Sequence, residues 1–503
     1  MLTDRSARTL AAYAEFVHTS LTPLLAEHAA RDPVPSLLAL FARTVREVPA
    51  YADFLRTRGI DADQVRTLAD FQRLPFTTKP DYVLAYPLAA RCRGGTLGSN
   101  DMIAVSSGST GEPTVWPRAL SDELAVAARF EQVLHDSFEA DRRTTLAVVC
   151  FPLGTWVGGM FTASCCRHLA AKGYPLTVVT PGNNKAEILR VVRTLGASFE
   201  QVVLFGYPPF VKEVVDAGLA EGIAWPEYGI KLVLAGEVFS EEWRSLLAER
   251  AGMTRPLYDS AALYGTADAG VLGNETPLSI AIRRFLASRP EAARALFGES
   301  RLPTLVQYDP FERYFEEHER TLLFSGENGV PLLRYHISDS GGVWPYAALI
   351  ARLSELGFDA EAEARRDGTR GVHALPFVYV FGRSHFAVSY YGANVFPDMV
   401  SIALEQPATS PWVTGKFVLE VVTDERHDPQ LSIAVELSPR GVAEAESGLG
   451  ERVADAVLEV LLRLNSEFSH YVPGPRQRPL VTLWPPAHPA YFPTGVKHRY
   501  SRK

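Results

Sequence analysis

Short apolar runs alternate with helical patterns between residues 100 and 330, and this alternation leaves few folds open to the chain. Runs typical of strands lie at 146–151, 202–205 and 231–234, while residues 185–195 and 241–251 have apolar positions at helical spacing. Strands that alternate with helices in this way indicate sheets with parallel strands, covered by helices on their faces. The sequence therefore predicts an α/β fold.

The pattern changes near residue 382, where a second domain is predicted to begin. Beyond this point the chain has strand-like runs at 417–423 and 431–437, one long helical pattern at 452–468 and a proline-rich end. We expect residues 1–382 to form a large N-terminal domain of parallel or mixed sheets covered by helices. Residues 383–503 are expected to form a small α+β C-terminal domain.

Composition and charge exclude several classes of protein. The 503 residues carry a net charge of −8, which argues against nucleic acid as the main partner. The sequence has no apolar run long enough for a membrane span, and its first residues lack the apolar region of a secretory signal. The four cysteines, Cys92, Cys150, Cys165 and Cys166, show no Cys-x-x-Cys spacing. We therefore expect a reduced, cytoplasmic protein with no membrane partner.

Residues 106–111 form a stretch that predicts a binding loop for a polyphosphate. Two glycines and four hydroxyl side chains fill these six positions, which are Ser106, Ser107, Gly108, Ser109, Thr110 and Gly111. Glycine lets the backbone approach a ligand closely, and successive N–H groups of such a loop can hold an anion. An apolar run at 102–105, typical of a buried strand, precedes the stretch. An ordinary surface loop is the alternative interpretation.

Aromatic residues and glycines follow two of the predicted strands. Trp156, Gly158 and Phe161 come after the run at 146–151, and Tyr207 comes after the run at 202–205. Open α/β sheets bind ligands at the ends of their strands, so these residues are candidates for the wall of an acyl pocket that accepts an aromatic or similar group. Ordinary core packing is the alternative.

Seven phrases of the sequence resemble the phenylacetate–CoA ligase-like branch of the adenylate-forming superfamily. Distinctive ones are PAYADFL at 49–55, LPFTTKPD at 74–81 and GANVFP at 392–397, and the loop at 106–111 is similar to the ATP loop of that superfamily. The phrases occur in the family's order and roughly its spacing. The resemblance covers nearly the whole chain apart from 274–309, a segment with a helical pattern that looks like an insertion.

The resemblance implies a nucleotide site built from several of these phrases. The loop at 106–111 would hold the phosphates of ATP. Ala235, Gly236 and Glu237 would line the nucleotide pocket, where a glycine also lets a flat purine lie against the backbone. Asp339 and Arg383 would hold the ribose, because an ionised carboxylate can accept two hydroxyl hydrogen bonds at once.

A metal site is implied by the phrase YGTAD at 264–268, which is similar to the family's Tyr-Gly-x-Ser/Thr-Glu motif. Tyr264, Gly265 and Thr266 would contact the nucleotide, and the carboxylate of Asp268 would hold Mg²⁺ on the phosphates. Aspartate is one methylene shorter than glutamate but keeps the hard oxygen ligands that Mg²⁺ requires. Asp268 is therefore a candidate catalytic residue as well as a metal ligand.

Lys497 is the second candidate catalytic residue. Members of the family end in Gly-Lys followed shortly by Arg, and that Lys contacts the reacting carboxylate and the α-phosphate. Here Val496 separates Gly495 from Lys497. The resemblance implies that Lys497 has the catalytic role and that the C-terminal domain is mobile and rotates after adenylation. A solvated basic tail is the alternative interpretation.

The activity implied by the resemblance is the ATP- and Mg²⁺-dependent activation of a carboxylic acid, expected to be aromatic, to an acyl-adenylate. The acyl group would then pass to the thiol of coenzyme A. A second hypothesis is transfer to a carrier-protein thiol or to an amine. A third is a nucleotide-binding protein without catalysis, motivated by departures from the family pattern at Glu112, Ala267, His385 and Tyr391. The oligomeric state stays open, although family members are often homodimers.

Overall fold

The computed structural model describes residues 4–105, 114–155, 157–368, 370–383, 387–391, 393–423, 429–444, 448–465, 468–469, 472–493 and 498–502. The predicted phosphate loop at 106–111, Trp156 and Lys497 lie outside the described residues, as do Glu112 and His385. In the part of the chain that the structure describes, no helix has the length and apolar content to cross a membrane.

The helices and strands follow one another along most of the chain. The helices are α1 Asp4–His18, α2 Leu21–Ala30, α3 Val34–Glu47, α4 Pro49–Arg56, α5 Leu68–Phe71, α6 Leu120–Gln132, α7 Val157–Lys172, α8 Lys185–Leu195, α9 Pro208–Ala220, α10 Glu241–Ala251, α11 Pro277–Ala287, α12 Pro290–Phe297, α13 Tyr346–Glu355, α14 Ala360–Arg365, α15 Pro397–Leu404, α16 Pro439–Glu444 and α17 Leu449–Leu464. The strands are β1 Met102–Val105, β2 Val115–Arg118, β3 Thr145–Val149, β4 Leu176–Val179, β5 Gln201–Gly206, β6 Lys231–Ala235, β7 Ser260–Thr266, β8 Gly270–Asn274, β9 Thr304–Gln307, β10 Arg313–His318, β11 Thr321–Gly326, β12 Leu332–Trp344, β13 Phe377–Arg383, β14 Val388–Tyr390, β15 Ala393–Val395, β16 Val413–Thr423, β17 Pro429–Leu437 and β18 Leu480–Trp484.

The main sheet has eleven strands in the order β10-β11-β12-β13-β9-β8-β7-β6-β5-β3-β4. The strands from β4 to β7 in this order pair with one another in parallel. The strands from β7 through β8 and β9 to β10 pair antiparallel. The predicted α/β fold with a mixed sheet covered by helices is therefore confirmed.

Alternate residues of the parallel strands pack into cores on opposite faces of the sheet. Leu146 and Val148 of β3 face a core shared with α8, α9 and α10. Ala147 and Val149 of the same strand face a core shared with α6 and α7. Because both faces are covered by helices, the strand is apolar at every position, which is why a continuous apolar run predicted it correctly.

Residues 274–309, interpreted above as an insertion, supply an inner strand of the main sheet. The helical pattern forms two helices, α11 and α12, and the second begins at Pro290. Proline suits the first turn of a helix but breaks a helix interior, which explains the division. The segment then enters β9, which lies between β13 and β8.

The strand before the predicted phosphate loop lies at the surface, so the expectation of a buried strand is wrong. Among the described strands β1 pairs with β2 alone, in an antiparallel ribbon whose register places Val105 opposite Val115. Ile103 is 43% exposed, whereas Ala104 is buried. A two-stranded ribbon covers one face of each strand, so the outward-facing apolar side chains stay in solvent.

The chain beyond β13 builds a separate core. β16 and β17 pair antiparallel, and β17 and β18 pair in parallel, which gives a three-stranded sheet. The helices α15 and α17 pack on this sheet through residues such as Val400, Phe417 and Val457. This core has the α+β character that was expected, and the domain boundary at 382/383 stays a prediction.

Candidate active site

The predicted nucleotide motifs meet at one edge of the main sheet. β5, β6 and β7 are parallel neighbours, so Tyr207, the Ala235–Glu237 phrase and the YGTAD phrase all follow the carboxyl ends of adjacent strands. Open α/β sheets bind their ligands at this edge. The structure therefore brings together the residues that the sequence placed in one site, as far as they are described.

Two tyrosine–aspartate hydrogen bonds join the YGTAD phrase to the phrase RYHISD at 334–339, which ends in Asp339. The Tyr264 hydroxyl donates to Asp339 Oδ2 at 2.8 Å. In the other direction, the Tyr335 hydroxyl donates to Asp268 Oδ2 at 2.7 Å. Each phrase thus supplies the tyrosine that orients the carboxylate of the other. Tyr264, Asp339 and Tyr335 are buried, so these bonds are largely shielded from competing water.

Arg118, at the end of β2, fixes the backbone of the YGTAD turn. Its guanidinium donates to the carbonyl oxygen of Asp268 at 3.1 Å and also to that of Ala267. The side chain is 1% exposed, and burial lowers its pKa while nearby Asp122 opposes the shift. The sequence analysis missed Arg118, because only the fold places β2 beside this turn. Ala267 acts here through its carbonyl group, which any residue would supply.

The phrase LPFTTKPD at 74–81 hydrogen-bonds to β12, the strand that contains Tyr335. Thr77 N–H donates to the carbonyl oxygen of Arg334 at 3.2 Å, and His336 N–H donates to the carbonyl oxygen of Thr77 at 2.9 Å. The Thr77 hydroxyl donates to Leu333 at 2.9 Å. These bonds set the position of β12 next to Asp268.

Asp339 stands opposite Arg383 in the pairing of β12 with β13. The two residues predicted to hold the ribose are therefore direct neighbours across the sheet, although the Arg383 side chain is not described. The preceding residue, Ser338, has a φ of +62°. This left-handed conformation favours glycine, which is what the family pattern has at this position. Ser338 adopts this conformation within β12 at a cost in backbone strain.

Tyr207 connects the predicted acyl wall with the nucleotide motif. Its ring lies against Phe151, with centroids 5.1 Å apart and planes nearly perpendicular. On the other side, a Cβ added to Gly236 would lie 2.4 Å from Tyr207 Cε1. Gly236 also has a φ of +90°, so both conformation and close approach require glycine. Phe151 was missed by the sequence analysis because it belongs to the predicted strand run.

The other described members of the predicted acyl wall lie close by. A Cβ on Gly158 would lie 3.6 Å from the Phe151 ring. Phe161 lies on α7 and is buried in the core that α6 and α7 form with the sheet. The Arg118 guanidinium lies 5.9 Å from its ring centroid. Phe161 thus packs behind Arg118, and its role in an acyl pocket stays a prediction.

Asp268 fits a metal that is shared with a nucleotide. Its Oδ2 accepts the Tyr335 hydroxyl, which orients the carboxylate. Among the described residues no group of three or more His, Cys, Asp or Glu side chains could hold a metal on its own. Mg²⁺ is commonly bound through one or two carboxylates together with substrate phosphates, and a single oriented aspartate matches that pattern.

No family model matches the chain. Two curated proteins are similar in sequence, and both are named phenylacetate-coenzyme A ligase. The one from Aromatoleum evansii is 22% identical over 407 residues, which cover 78% of this chain and 78% of the relative. The one from Thermus thermophilus is 25% identical over 448 residues, which cover 86% of this chain and 85% of the relative.

Solved structures share the fold of this chain. A 2-hydroxyisobutyryl-CoA ligase in the postadenylation state superposes with a TM-score of 0.67 at 15% identity, over 94% of this chain and 88% of that chain. An acyl acid amido synthetase in complex with 2,4-DB superposes with a TM-score of 0.56 at 12% identity, over 100% and 95% of the two chains.

The fold is similar to that of a 2-hydroxyisobutyryl-CoA ligase, and the motifs that resemble the adenylate-forming superfamily meet at one edge of the main sheet. In sequence the chain is similar to phenylacetate–CoA ligases. The predicted resemblance to this branch is confirmed.

Proposed function

We propose that the protein activates a carboxylic acid with ATP and transfers the acyl group to coenzyme A. The observation that carries this proposal is the pair of crossed hydrogen bonds, Tyr264 to Asp339 and Tyr335 to Asp268. They hold the predicted ribose carboxylate and the predicted metal carboxylate in fixed orientation at the ligand-binding edge of the sheet. The two curated relatives carry the name of a ligase of this type.

The chemistry consists of two displacements. A carboxylate oxygen of the acid forms a bond to the α-phosphorus of ATP, and the bond to pyrophosphate breaks. The thiolate sulfur of coenzyme A then forms a bond to the acyl carbon, and AMP leaves. No side-chain nucleophile is needed, so the protein contributes positioning and neutralisation of charge.

The described residues supply specific parts of this task. Asp339 can accept ribose hydroxyls in addition to the Tyr264 hydroxyl, since a carboxylate has about four lone-pair sites. Asp268 would hold Mg²⁺, which when bound neutralises charge on the phosphates. Arg118 holds the backbone at Asp268 and Tyr335 orients its carboxylate before ATP arrives. Preorganisation of this kind costs no rearrangement during the reaction.

An aromatic acid is supported by the packing around Tyr207. Its ring and that of Phe151 form an edge-to-face pair at the end of β5, next to Gly158. Such rings offer flat apolar surface to an aryl group. Trp156, which the sequence places in the same wall, would complete it. Exchange of Trp156 for Ala should alter which acids are accepted while the KM for ATP changes little.

An amine acceptor is the second candidate. The similarity in fold to a protein named acyl acid amido synthetase, at a TM-score of 0.56, favours it because that name describes the joining of an acyl acid to an amine. A carrier-protein thiol belongs to the same hypothesis. All of these reactions share the first displacement.

The test is an ATP–pyrophosphate exchange screen over a panel of aromatic and aliphatic carboxylic acids, with and without Mg²⁺. We expect exchange with at least one aromatic acid and only when Mg²⁺ is present. AMP release with that acid is then measured with coenzyme A, a phosphopantetheinylated carrier protein or an amine. Coenzyme A-dependent release supports the proposal, release with the others supports the second candidate, and absence of exchange with every acid contradicts both.

A further inference from the structure

The turn that joins β7 to β8 presents three successive carbonyl groups to two buried arginines. The carbonyls of Ala267 and Asp268 accept from the Arg118 guanidinium, the second at 3.1 Å. The next carbonyl, that of Ala269, accepts from Arg313 Nη2 at 3.1 Å. Arg118 ends β2 and Arg313 begins β10, so the turn that carries the predicted metal carboxylate is held from two strands that are distant in sequence.

Other hydrogen bonds of Arg313 fix its own position. Nη1 donates to the carbonyl oxygens of Glu312 at 2.8 Å and Glu327 at 3.2 Å, and Nη2 donates to Asn328 Oδ1 at 3.1 Å. Gly326 stands opposite Arg313 in the pairing of β10 with β11, and a Cβ there would lie 2.8 Å from Arg313 Cδ. The glycine therefore leaves room for the arginine to reach the turn.

Asp122, in the first turn of α6, supplies a negative charge to the same buried region. Its Oδ2 accepts from the N–H groups of Ala119 at 2.9 Å and Gly329 at 2.7 Å. Arg118, Arg313 and Asp122 are each at most 4% exposed. Burial lowers the pKa of both arginines, and nearby acids, Asp122 among them, oppose the shift. Arginine stays protonated in proteins, so both side chains remain charged donors to the turn.

The backbone of the turn matters more for an aspartate than it would for a glutamate. The side chain of Asp268 is one methylene shorter than the glutamate of the family pattern, so fewer rotatable bonds separate its carboxylate from the backbone. The position of the peptide units at 267–269 therefore determines where the carboxylate oxygens lie. Tyr335 orients the carboxylate itself, at 2.7 Å, and the two arginines hold the peptide units.

We propose that Arg118 and Arg313 are positioning residues that set the affinity of the Asp268 site for Mg²⁺ bound together with a nucleotide. This inference rests on the proposed function. Mg²⁺ requires nearly ideal octahedral geometry, so a carboxylate displaced by a loosened turn binds it less well. Loss of a residue that orients a metal ligand typically lowers metal affinity about 10–100-fold.

Three substitutions separate this role from a general effect on stability. Arg118→Met removes the donors to the Ala267 and Asp268 carbonyls but keeps an unbranched apolar stem in the core. Arg118→Lys keeps a charged donor and should recover most of the wild-type behaviour. Arg255→Met is the matched control: Arg255 also donates to a backbone carbonyl, that of Ser137 at 2.9 Å, but it precedes the amino end of β7, at the opposite edge of the sheet.

The measurement is the binding of α,β-methylene-ATP by titration calorimetry, once with Mg²⁺ and once with EDTA, which requires no turnover. Mg²⁺ should tighten binding to the wild type. In Arg118→Met this gain should fall about 10–100-fold, whereas the affinity in EDTA should stay near that of the wild type. Arg313→Met should lose the gain in the same way, and Arg255→Met should keep it in full.

Several results would overturn the inference. An equal loss of affinity with Mg²⁺ and with EDTA would mean that the arginines only stabilise the fold. An undiminished gain in Arg118→Met or in Arg313→Met would mean that the turn does not need that arginine. In an Asp268→Asn background Arg118→Met should have no further effect on the gain, because residues that act through one group are not additive, and an additive effect also counts against the inference.

A second variant keeps the test decisive if Arg118→Met does not fold. Arg118→Met leaves the buried Asp122 carboxylate without a nearby positive charge, which is costly. Arg118→Met combined with Asp122→Asn removes that charge and keeps an acceptor for the Ala119 and Gly329 N–H groups. The same loss of the Mg²⁺-dependent gain is expected in the combined variant, and an undiminished gain overturns the inference.

Failure of this inference and failure of the proposed function give different results. If the wild type gains affinity with Mg²⁺ and Arg118→Met does not, but no acid supports pyrophosphate exchange, the positioning role stands and the proposed function is wrong. If exchange occurs and all variants keep the gain, only the positioning role is wrong. A wild type that binds the analogue equally with Mg²⁺ and with EDTA contradicts the metal assignment and the inference together.

Discussion

Tyr264 donates its hydroxyl hydrogen to Asp339 Oδ2 over 2.8 Å, although 75 positions separate the two residues in sequence. The converse bond, from Tyr335 to Asp268, spans 67 positions. Each motif is therefore incomplete without the other, because the tyrosine of each motif orients the carboxylate of the other. A substitution in either motif should therefore affect binding at both predicted sites, that of the ribose and that of the metal.

The first prediction concerns Asp268. Asp268→Ala should abolish pyrophosphate exchange and leave the thermal unfolding temperature nearly unchanged, because a lost metal ligand removes several kcal/mol of charge stabilisation in the transition state. Asp268→Asn is the matched variant that keeps an acceptor for the Tyr335 hydroxyl but loses the charge, and it should also be inactive. Unchanged Mg²⁺-dependent exchange in either variant would show that the metal assignment is wrong.

The second prediction separates close approach from backbone conformation at Gly236. Gly236→Ala introduces a Cβ 2.4 Å from the Tyr207 ring at a positive φ, whereas Gly222→Ala has a similar φ of +78° with nothing within 4 Å. Both substitutions should lower the free energy of unfolding by about 1–2 kcal/mol, because alanine is strained in the left-handed conformation. Only Gly236→Ala should add about 1–3 kcal/mol of overpacking and raise the KM for ATP. Equal unfolding free energies for the two variants, measured in urea, would contradict the close contact.

The third prediction concerns the buried ion pairs beneath β7. Glu275 is fully buried and accepts from Arg244 at 2.8 Å, from Arg283 at 2.9 Å and from the Ala262 N–H at 2.8 Å. Glu275→Ala leaves the buried Arg244 and Arg283 guanidinium groups with one carboxylate, Glu241, between them, so one buried positive charge loses its counterpart. We therefore expect a loss of about 3–5 kcal/mol in the free energy of unfolding.

Glu187→Ala is the control for that experiment. Glu187 pairs with Arg190 on the exposed surface of α8. Solvent screens exposed pairs of this kind and they contribute little to stability, so the control should unfold close to the wild type. If the two variants lost similar amounts of stability, the ion pairs beneath β7 would not be what holds this strand.

The fold was largely readable from the sequence, whereas the crossed bonds of the site were not. β3, β5 and β6 were predicted because strands covered on both faces are continuously apolar, as at 146–149. Neither Arg118 nor the pairing of Thr77 with β12 could be predicted, because both depend on which distant strands become neighbours. The YGTAD and RYHISD phrases were found as separate ligand sites. In the structure the tyrosine of each phrase binds the aspartate of the other. These bonds depend on where the fold places β7 and β12, which a linear pattern does not contain.

The departures from the family pattern have different physical meanings in the structure. Ser338 occupies a left-handed position that glycine would adopt without strain, so its cost is conformational. Tyr391 likewise has a positive φ, of +50°. Ala267 contributes its carbonyl oxygen to Arg118, a role that does not depend on the side chain. Of the four departures that motivated a protein without catalysis, only Ala267 and Tyr391 lie within the described residues, and Ala267 acts through its backbone.

The fourth prediction concerns pH and the anchor of the C-terminal segment. Burial, with help from the charges of Lys416 and Arg502, lowers the pKa of His498 to about 4, although its bond to the Phe417 carbonyl opposes the shift. The unfolded chain binds this proton below about pH 6.5, whereas the folded chain takes it up only near pH 4. The contribution of His498 to stability is therefore complete above about pH 6.5 and is lost as the pH falls from there towards 4.

His498→Gln tests this contribution, because glutamine can donate to the Phe417 carbonyl but does not titrate in this range. The difference in unfolding temperature between wild type and His498→Gln should be constant at pH 7 and above. Between pH 6.5 and 4 the wild type should lose stability relative to the variant. Parallel curves over the whole range would mean that His498 is as accessible to protons in the folded chain as in the unfolded one.

The last prediction concerns Lys497, which lies outside the described residues and precedes the segment that β16 holds. A compact ammonium on a flexible stem suits the negative charge that develops between the acid and the α-phosphate. Lys497→Ala should slow acyl-adenylate formation by about 10²–10³-fold, the effect of one preorganised donor. It should still convert a supplied acyl-adenylate to thioester at nearly the wild-type rate, because the resemblance implies that the C-terminal part has rotated away from the site before the second displacement. Lys185→Ala, at an exposed helix start, is the control and should leave both rates unchanged. Equal losses in both displacements would assign Lys497 a role in docking the tail.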